Sequence, residues 1–167
     1  MMIKDYERIH VLPTCRNLRE IARFLVMSLL ISNGIRRNTL SIVRVGSRWI
    51  VAPGDKIRHL RPDADTSEGW IKAVLRGKNL GAVVIPEIEY LGVGIALLHS
   101  STGAPGEILE IGDTEHRIFC YVEDLDSIEK CPLSTVEKRI VPKWGFWRTA
   151  SLVNTILDRV DFGLPPC

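Results

Sequence analysis

The chain has 167 residues, of which 46% are hydrophobic and 25% are charged. These values are typical of a globular protein, and the length suits a single domain with a sizeable core, predicted here over residues 1–167. The charged opening residues lack the apolar core of a signal peptide, and the apolar run at 24–31 is too short to span a bilayer. These features predict a soluble cytoplasmic protein rather than a secreted or membrane-spanning one.

The first part of the chain predicts a strand followed by a long helix. Alternating branched residues predict a strand over residues 8–12. A wide apolar face then predicts an amphipathic helix over residues 16–32, with Thr14 or Asn17 as its cap and Asn33-Gly34 as its stop. Three arginines spaced i, i+3 and i+7 share the other face of this helix: Arg16, Arg19 and Arg23.

A hairpin and a second helix are predicted next. Strands over residues 39–45 and 48–52 flank a Gly-Ser turn. A short basic segment at 56–61 leads to a helix that begins near Asp63. That aspartate suits a helix cap, and a catalytic base is the less favoured interpretation.

The second half alternates strands with loops and ends in a helix. Buried strands are predicted over residues 81–85 and 118–122, a short strand over 139–141 and a closing helix over 149–160. The stretch 87–98 is open between helix and strand. This order predicts an α/β fold with a mostly parallel sheet flanked by helices.

Charge is distributed unevenly along the chain. Residues 1–80 carry 15 Lys/Arg and 7 Asp/Glu, a balance of +8, whereas residues 81–167 carry 7 and 13, a balance of −6. A basic half is typical of a face that attracts a polyanion, because contacts to phosphates supply much of the affinity for nucleic acid. Mutual attraction of the two halves within one fold explains the pattern equally well.

The four cysteines give no metal signature. They are Cys15, Cys120, Cys131 and Cys167, none of them in a Cys-x-x-Cys pair, and the four histidines are scattered. No metal site is therefore predicted. One or two disulfides stay open as alternatives, since intracellular proteins of hyperthermophiles carry them.

Several motifs resemble one family. Leu12-Pro-Thr-Cys, Ile31-Ser-Asn-Gly-Ile-Arg-Arg and Lys56-Ile-Arg-His-Leu-Arg-Pro-Asp are similar to the N-terminal signature of the archaeal tRNA pseudouridine N1-methyltransferases. Those enzymes belong to the SPOUT class, whose α/β fold closes with a C-terminal trefoil knot. The closing Ile156-Leu-Asp-Arg resembles their final helix. The likeness covers roughly residues 8–78 well and is weaker beyond them.

The resemblance implies an activity, a cofactor and partners. It implies S-adenosylmethionine as methyl donor, methylation of N1 of a pseudouridine in the tRNA T-loop, and a homodimer. It places RNA contacts at Arg19, Arg23, Arg36, Arg37, Arg58 and Arg61. It places cofactor contacts at Tyr121, Val122, Glu123, Val141, Pro142 and Trp147. Arg36 and Asp63 are weak candidates for a catalytic role.

Departures from the family pattern keep other functions open. Glu123 stands where the family has the glycine of a Leu-Gly-Asp-His turn, and Val141-Pro-Lys-Trp-Gly stands near a Ser-Leu-Gly-Pro loop. One alternative is a degenerate SPOUT-fold protein that binds RNA without methyl transfer. Another is an interaction protein whose charge split serves homo-oligomerisation. The aromatic residues at 144–147 either line a ligand pocket or pack in the core, and both alternatives are open.

Overall fold

The computed structural model describes residues 3–14, 17–31, 34–113 and 115–161. Predictions that concern Cys15, Arg16, Asn33 and Cys167 lie outside these residues. Within them the chain forms strands, α-helices and short 3-10 turns. The strands are β1 Arg8–Leu12, β2 Leu30–Ile31, β3 Gly34–Ile35, β4 Thr39–Val45, β5 Arg48–Pro53, β6 Val83–Ile85, β7 Val93–Ser100, β8 Ile118–Val122 and β9 Thr135–Pro142. The α-helices are α1 Leu18–Leu29, α2 Ala64–Leu75, α3 Gly106–Leu109 and α4 Phe146–Asp161.

Seven of these strands form one sheet in the order β6-β5-β4-β1-β8-β7-β9. The pairs β1–β4, β1–β8, β7–β8 and β7–β9 are parallel, while β4–β5 and β5–β6 are antiparallel. The predicted α/β class with a mostly parallel sheet is therefore confirmed. Strands β2 and β3 form a separate two-stranded ribbon after α1.

The two faces of the sheet are covered differently. One face packs against α1, α2 and α4, and its strand residues include Leu12 and Phe119. The opposite face, which includes Val11 and Cys120, is covered by the segment 85–91 and by residues 128–136. Alternate residues of β1 thus enter separate cores, as the period of two in a strand requires.

Helix α1 begins at a capped end and is shorter than predicted. The Asn17 side chain accepts a hydrogen bond from the Glu20 backbone N–H at 2.9 Å, so the second of the two predicted caps is confirmed. The helix ends at Leu29, earlier than the predicted bound of residue 32, because Leu30 is already extended and pairs with Ile35. Met27, an apolar residue of this helix, is 36% exposed.

Three predictions in the second half need correction. The predicted buried strand at 81–85 is the short edge strand β6, with Val83 46% exposed. The stretch 87–98, for which the sequence did not decide between helix and strand, is a loop followed by β7. A glycine suits that strand because a Cβ on Gly94 would lie 2.8 Å from the Ile118 carbonyl oxygen. Strand β9 and helix α4 are both longer than predicted.

One disulfide is present, which was among the alternatives left open for the four cysteines. Cys120 and Cys131 are bonded, with their Cα atoms 6.1 Å apart. Both are buried in the core on the sheet face opposite α1, α2 and α4. The bond ties β8 to the segment that precedes β9. No helix among the described residues has the length and apolar character needed to cross a membrane.

Candidate functional site

A cleft lies at the carboxyl edge of the parallel strands, where the winding of the sheet reverses. The chain leaving β1 crosses to β4 on one side, whereas the chain leaving β8 crosses to β9 on the other. Strands β1 and β8 are neighbours, so their outgoing segments diverge and leave a crevice between them. Ligands of open α/β sheets bind in such crevices.

The cleft has a volume of about 160 Å³. Its walls come from the ends of β1, β7 and β8, from α1, and from the segment after β9 together with the first residues of α4. The lining residues are Leu12, Glu20, Arg23, His99, Glu123 and 143–147. The cleft therefore combines two carboxylates, two cations and three aromatic rings, a set that fits a ligand with both charge signs and a flat ring.

His99 lies in the lining with its ring fixed from both sides. Its Nδ1 is 3.0 Å from the Leu97 carbonyl oxygen and 3.1 Å from that of Val122. Carbonyl oxygens only accept, so Nδ1 carries the proton in the neutral ring and Nε2 accepts from the Thr149 hydroxyl at 2.7 Å. Phe146 packs edge-on to the same ring at 4.6 Å. Sequence reasoning gave His99 no role, because a lone histidine near a strand carries no local signal.

Trp147 joins this cleft to a longer groove. The Arg23 guanidinium lies 5.7 Å from its ring centroid and that of Arg148 lies 5.6 Å away, both within cation–π range. A second cavity of about 290 Å³ shares Arg23 and Trp147 with the cleft. A third, of about 420 Å³, shares Met27 and Pro62 with the second and extends to Arg61. A groove thus follows α1 from the carboxyl edge toward the basic segment.

The six residues predicted to contact a cofactor are brought to one edge of the sheet. Glu123 and Trp147 line the cleft. Tyr121, Val122 and Val141 are fully buried beneath it, so only their backbone could meet a ligand. Pro142 is half-buried at the end of β9.

The predicted RNA contacts are scattered over more of the surface. Arg23 lines the cleft, while Arg37, Arg58 and Arg61 are exposed. Arg19 is paired with Asp65 at 3.1 Å. The two remaining assignments concern Arg36, which is treated with its partner below, and the weak catalytic candidate Asp63.

Asp63 is a helix cap. Its carboxylate accepts a hydrogen bond from the Thr66 backbone N–H at 2.8 Å. The hydrogen bond with the Thr66 side chain, followed by this backbone bond, holds the pKa of the exposed Asp63 carboxyl below its ordinary value. Asp63 and Arg36 are absent from the lining of the cleft within the described residues. The favoured interpretation of Asp63 from sequence is thereby confirmed.

A second polar cluster lies at the opposite, amino edge and fastens α4 to the sheet. Arg8, whose side chain is 2% exposed, pairs with Asp158 at 2.7 Å and with Asp161 at 2.8 Å. Arg36, 13% exposed, reaches both oxygens of Asp158 at 2.8 Å. The guanidinium of Arg36 is therefore engaged within the fold rather than presented on a surface. Sequence reasoning missed this pairing.

His10 extends that cluster into the core. The Asn154 amide nitrogen donates to the Ser28 carbonyl at 3.0 Å, so its oxygen accepts from His10 Nε2 at 3.0 Å. His10 Nδ1 then accepts from the Tyr121 hydroxyl at 2.7 Å. Complete burial, assisted by the charges of Arg8 and Arg36, lowers the pKa of His10 to about 3. The ring is neutral and structural at physiological pH.

Gly103 offers a test of how tightly the loops beside the cleft are packed. A Cβ on Gly103 would collide with the backbone of Val141 and Pro142. We expect Gly103→Ala to destabilise the protein by about 2 kcal/mol, since relief requires movement of main chain. Gly106→Ala is the matched control, because nothing lies within 4 Å of its added methyl. Equal midpoints in urea denaturation for the two variants would contradict this packing.

Comparison of the chain with protein-family models and with curated proteins found no match. Among the described residues, no group of three or more His, Cys, Asp or Glu side chains is arranged to hold a metal ion.

Proposed function

We propose that this protein is an S-adenosylmethionine-dependent RNA methyltransferase that methylates N1 of a pseudouridine in the tRNA T-loop. The observation that carries the proposal is the cleft at the β1/β8 switch point, built from carboxyl-edge segments and continuous with a groove toward basic residues. The proposal includes a SPOUT-like fold with a C-terminal trefoil knot and a homodimer, as the sequence resemblance implies.

The residues of the cleft fit the proposed cofactor. Trp144 and Trp147 supply flat apolar surface for an adenine ring, and Arg23 and Lys143 suit a carboxylate. Glu20 and Glu123 suit positively charged groups. When bound, S-adenosylmethionine supplies a methyl group on a positively charged sulfur. The work of the protein is then to orient that group and the accepting base, which is the main source of catalysis in such transfers.

The segments after β7 and β9 lie close together at the carboxyl edge of the sheet. Gly103 lies so close to the end of β9 that its backbone contacts Val141 and Pro142. The chain enters α4 within a few residues of that contact. Ser100 pairs with Pro142 in the sheet, so this contact belongs to the β7–β9 pairing, and the proposed knot depends on the sequence resemblance.

The basic segment at 56–61 supports the RNA assignment. Buried Ile57 and Leu60 anchor it, and Trp70 Nε1 donates to the Arg58 carbonyl at 2.7 Å. His59 has a φ of 66°, an uncommon conformation for a residue other than glycine. The exposed side chains of Arg58 and Arg61 therefore extend from a backbone that is fixed by packing and hydrogen bonding, which suits contacts to phosphates.

We expect Arg37→Ala/Arg61→Ala to weaken tRNA binding roughly tenfold and to reduce the salt dependence of binding by about two phosphate contacts. Both side chains are exposed, so the fold should be retained. Gel-shift titrations at two or more salt concentrations measure both quantities. Lys130→Ala, which removes an exposed cation from the acidic half, is the matched control. Equal losses of tRNA affinity in the double variant and in Lys130→Ala would show that the proposed groove is not the RNA site.

Calorimetric titration tests the cofactor assignment. We expect saturable binding of S-adenosylmethionine to the wild type, and we expect Trp147→Ala to abolish or greatly weaken this binding. The absence of heat at millimolar cofactor would overturn methyl transfer.

A second candidate is an RNA-binding protein without methyl transfer. It is favoured by the size of the cleft, since about 160 Å³ is below the roughly 300–1,000 Å³ of ordinary ligand pockets. Binding of tRNA without binding of S-adenosylmethionine would identify this candidate.

A further inference from the structure

Glu123 is held in position by the residues around it. The carbonyl of Val122, directly before it, lies 3.1 Å from His99 Nδ1. Directly after it, Asp124 accepts from the Ser127 backbone N–H at 2.8 Å and so fixes the turn that follows. The Cys120–Cys131 disulfide closes the whole segment. A carboxylate presented by such a constrained backbone needs little reorganisation to meet a ligand.

The remainder of the cleft makes this position suited to a cation. Trp144 and Trp147 lie in the same lining, and aromatic faces beside a carboxylate are a common setting for positively charged ligands. Arg23 and Lys143 supply the opposite sign for a carboxylate on the same ligand. The cleft therefore has separate groups for the two charges of one bound molecule.

We propose that Glu123 is a specificity-determining residue that distinguishes the positively charged sulfonium of S-adenosylmethionine from the neutral thioether of S-adenosylhomocysteine. The inference rests on the proposed function and deepens it. The two compounds share adenosine and the amino-acid group and differ only in the methyl group and its charge. A carboxylate facing the sulfur favours the charged donor and promotes release of the neutral product.

The test is calorimetric titration of both compounds into the full chain. In the wild type, S-adenosylmethionine should bind about tenfold more tightly than S-adenosylhomocysteine, as expected for one close charge pair in a partly solvated cleft. Glu123→Gln should reduce this ratio to within about twofold, mainly by weakening the charged ligand. Asp126→Asn, which removes an exposed charge outside the cleft lining, should leave the ratio unchanged. Thermal melts confirm that each variant is folded.

The outcomes separate the inference from the proposed function. If both compounds bind and Glu123→Gln leaves their ratio unchanged, the cofactor assignment stands and the role of Glu123 is overturned. If Glu20→Gln reduces the ratio instead, the role of Glu123 is likewise overturned. If neither compound binds the wild type at millimolar concentration, the proposed function fails and this inference fails with it.

Discussion

Replacing Asp158 with asparagine is expected to lower the free energy of unfolding by about 3 kcal/mol, which corresponds to a fall of about 10 °C in Tm. One carboxylate, 23% exposed, holds the largely buried guanidiniums of Arg8 and Arg36. Removal of its charge leaves both cations with weaker compensation in a poorly solvated site. That penalty exceeds the loss of an ordinary surface pair, which is at most about 1 kcal/mol.

Asp161→Asn is the matched control for this experiment. Asp161 lies on the same last turn of α4, pairs only with Arg8 among the contacts described above, and is 30% exposed. Both variants remove one negative charge near a helix C-terminus, so the helix-dipole effect is shared. Differential scanning calorimetry should show the larger loss for Asp158→Asn. A larger loss for Asp161→Asn would contradict the shared-carboxylate arrangement.

His10 is expected to make folding stability depend on pH. Its folded-state pKa of about 3 lies below its ordinary value of 6.5, so the unfolded chain binds a proton first as the pH falls. The contribution of the neutral ring is complete above about pH 6.5 and is lost progressively as the pH falls toward 3. Between pH 7.5 and pH 5 the loss should reach about 2 kcal/mol.

Urea denaturation of the wild type and of His10→Gln at pH 7.5, 6 and 5 measures this effect. The variant starts from a lower stability, because it replaces bonds to Tyr121 and Asn154, so the quantity compared is the change with pH. The wild type should lose about 2 kcal/mol more than the variant over this range. Parallel pH profiles would show that His10 does not remain neutral in the fold. The other histidines are common to both proteins and cancel in the comparison.

The bounds of several elements could be predicted because local chemistry determines them. Strands β1, β4 and β8 occupy their predicted residues, since alternating branched side chains are bounded by proline, glycine or charged turns. The helix caps at Asn17 and Asp63 could likewise be predicted from the sequence, because a capping side chain bonds a backbone N–H only three residues away.

The rest depended on contacts distant in the sequence. Arg36 follows a helix and precedes a strand, a pattern that suggests an exposed arginine pair, yet its partner Asp158 is 122 residues away. His99 enters the cleft only because β7 lies beside β8 in the sheet. The length of β9 was underestimated because an edge strand paired on one side shows little hydrophobic periodicity.

Methyl transfer to two tRNA transcripts that differ at one T-loop nucleotide tests the central proposal most directly. One transcript carries pseudouridine in the T-loop and the other carries uridine, whose N1 is already bonded to ribose. With labelled S-adenosylmethionine, transfer would break the carbon–sulfur bond, form a carbon–nitrogen bond at N1 and release the N1 proton. We predict label approaching one methyl per molecule in the pseudouridine transcript and none in the uridine transcript; label in neither transcript, or in both alike, would contradict the proposal.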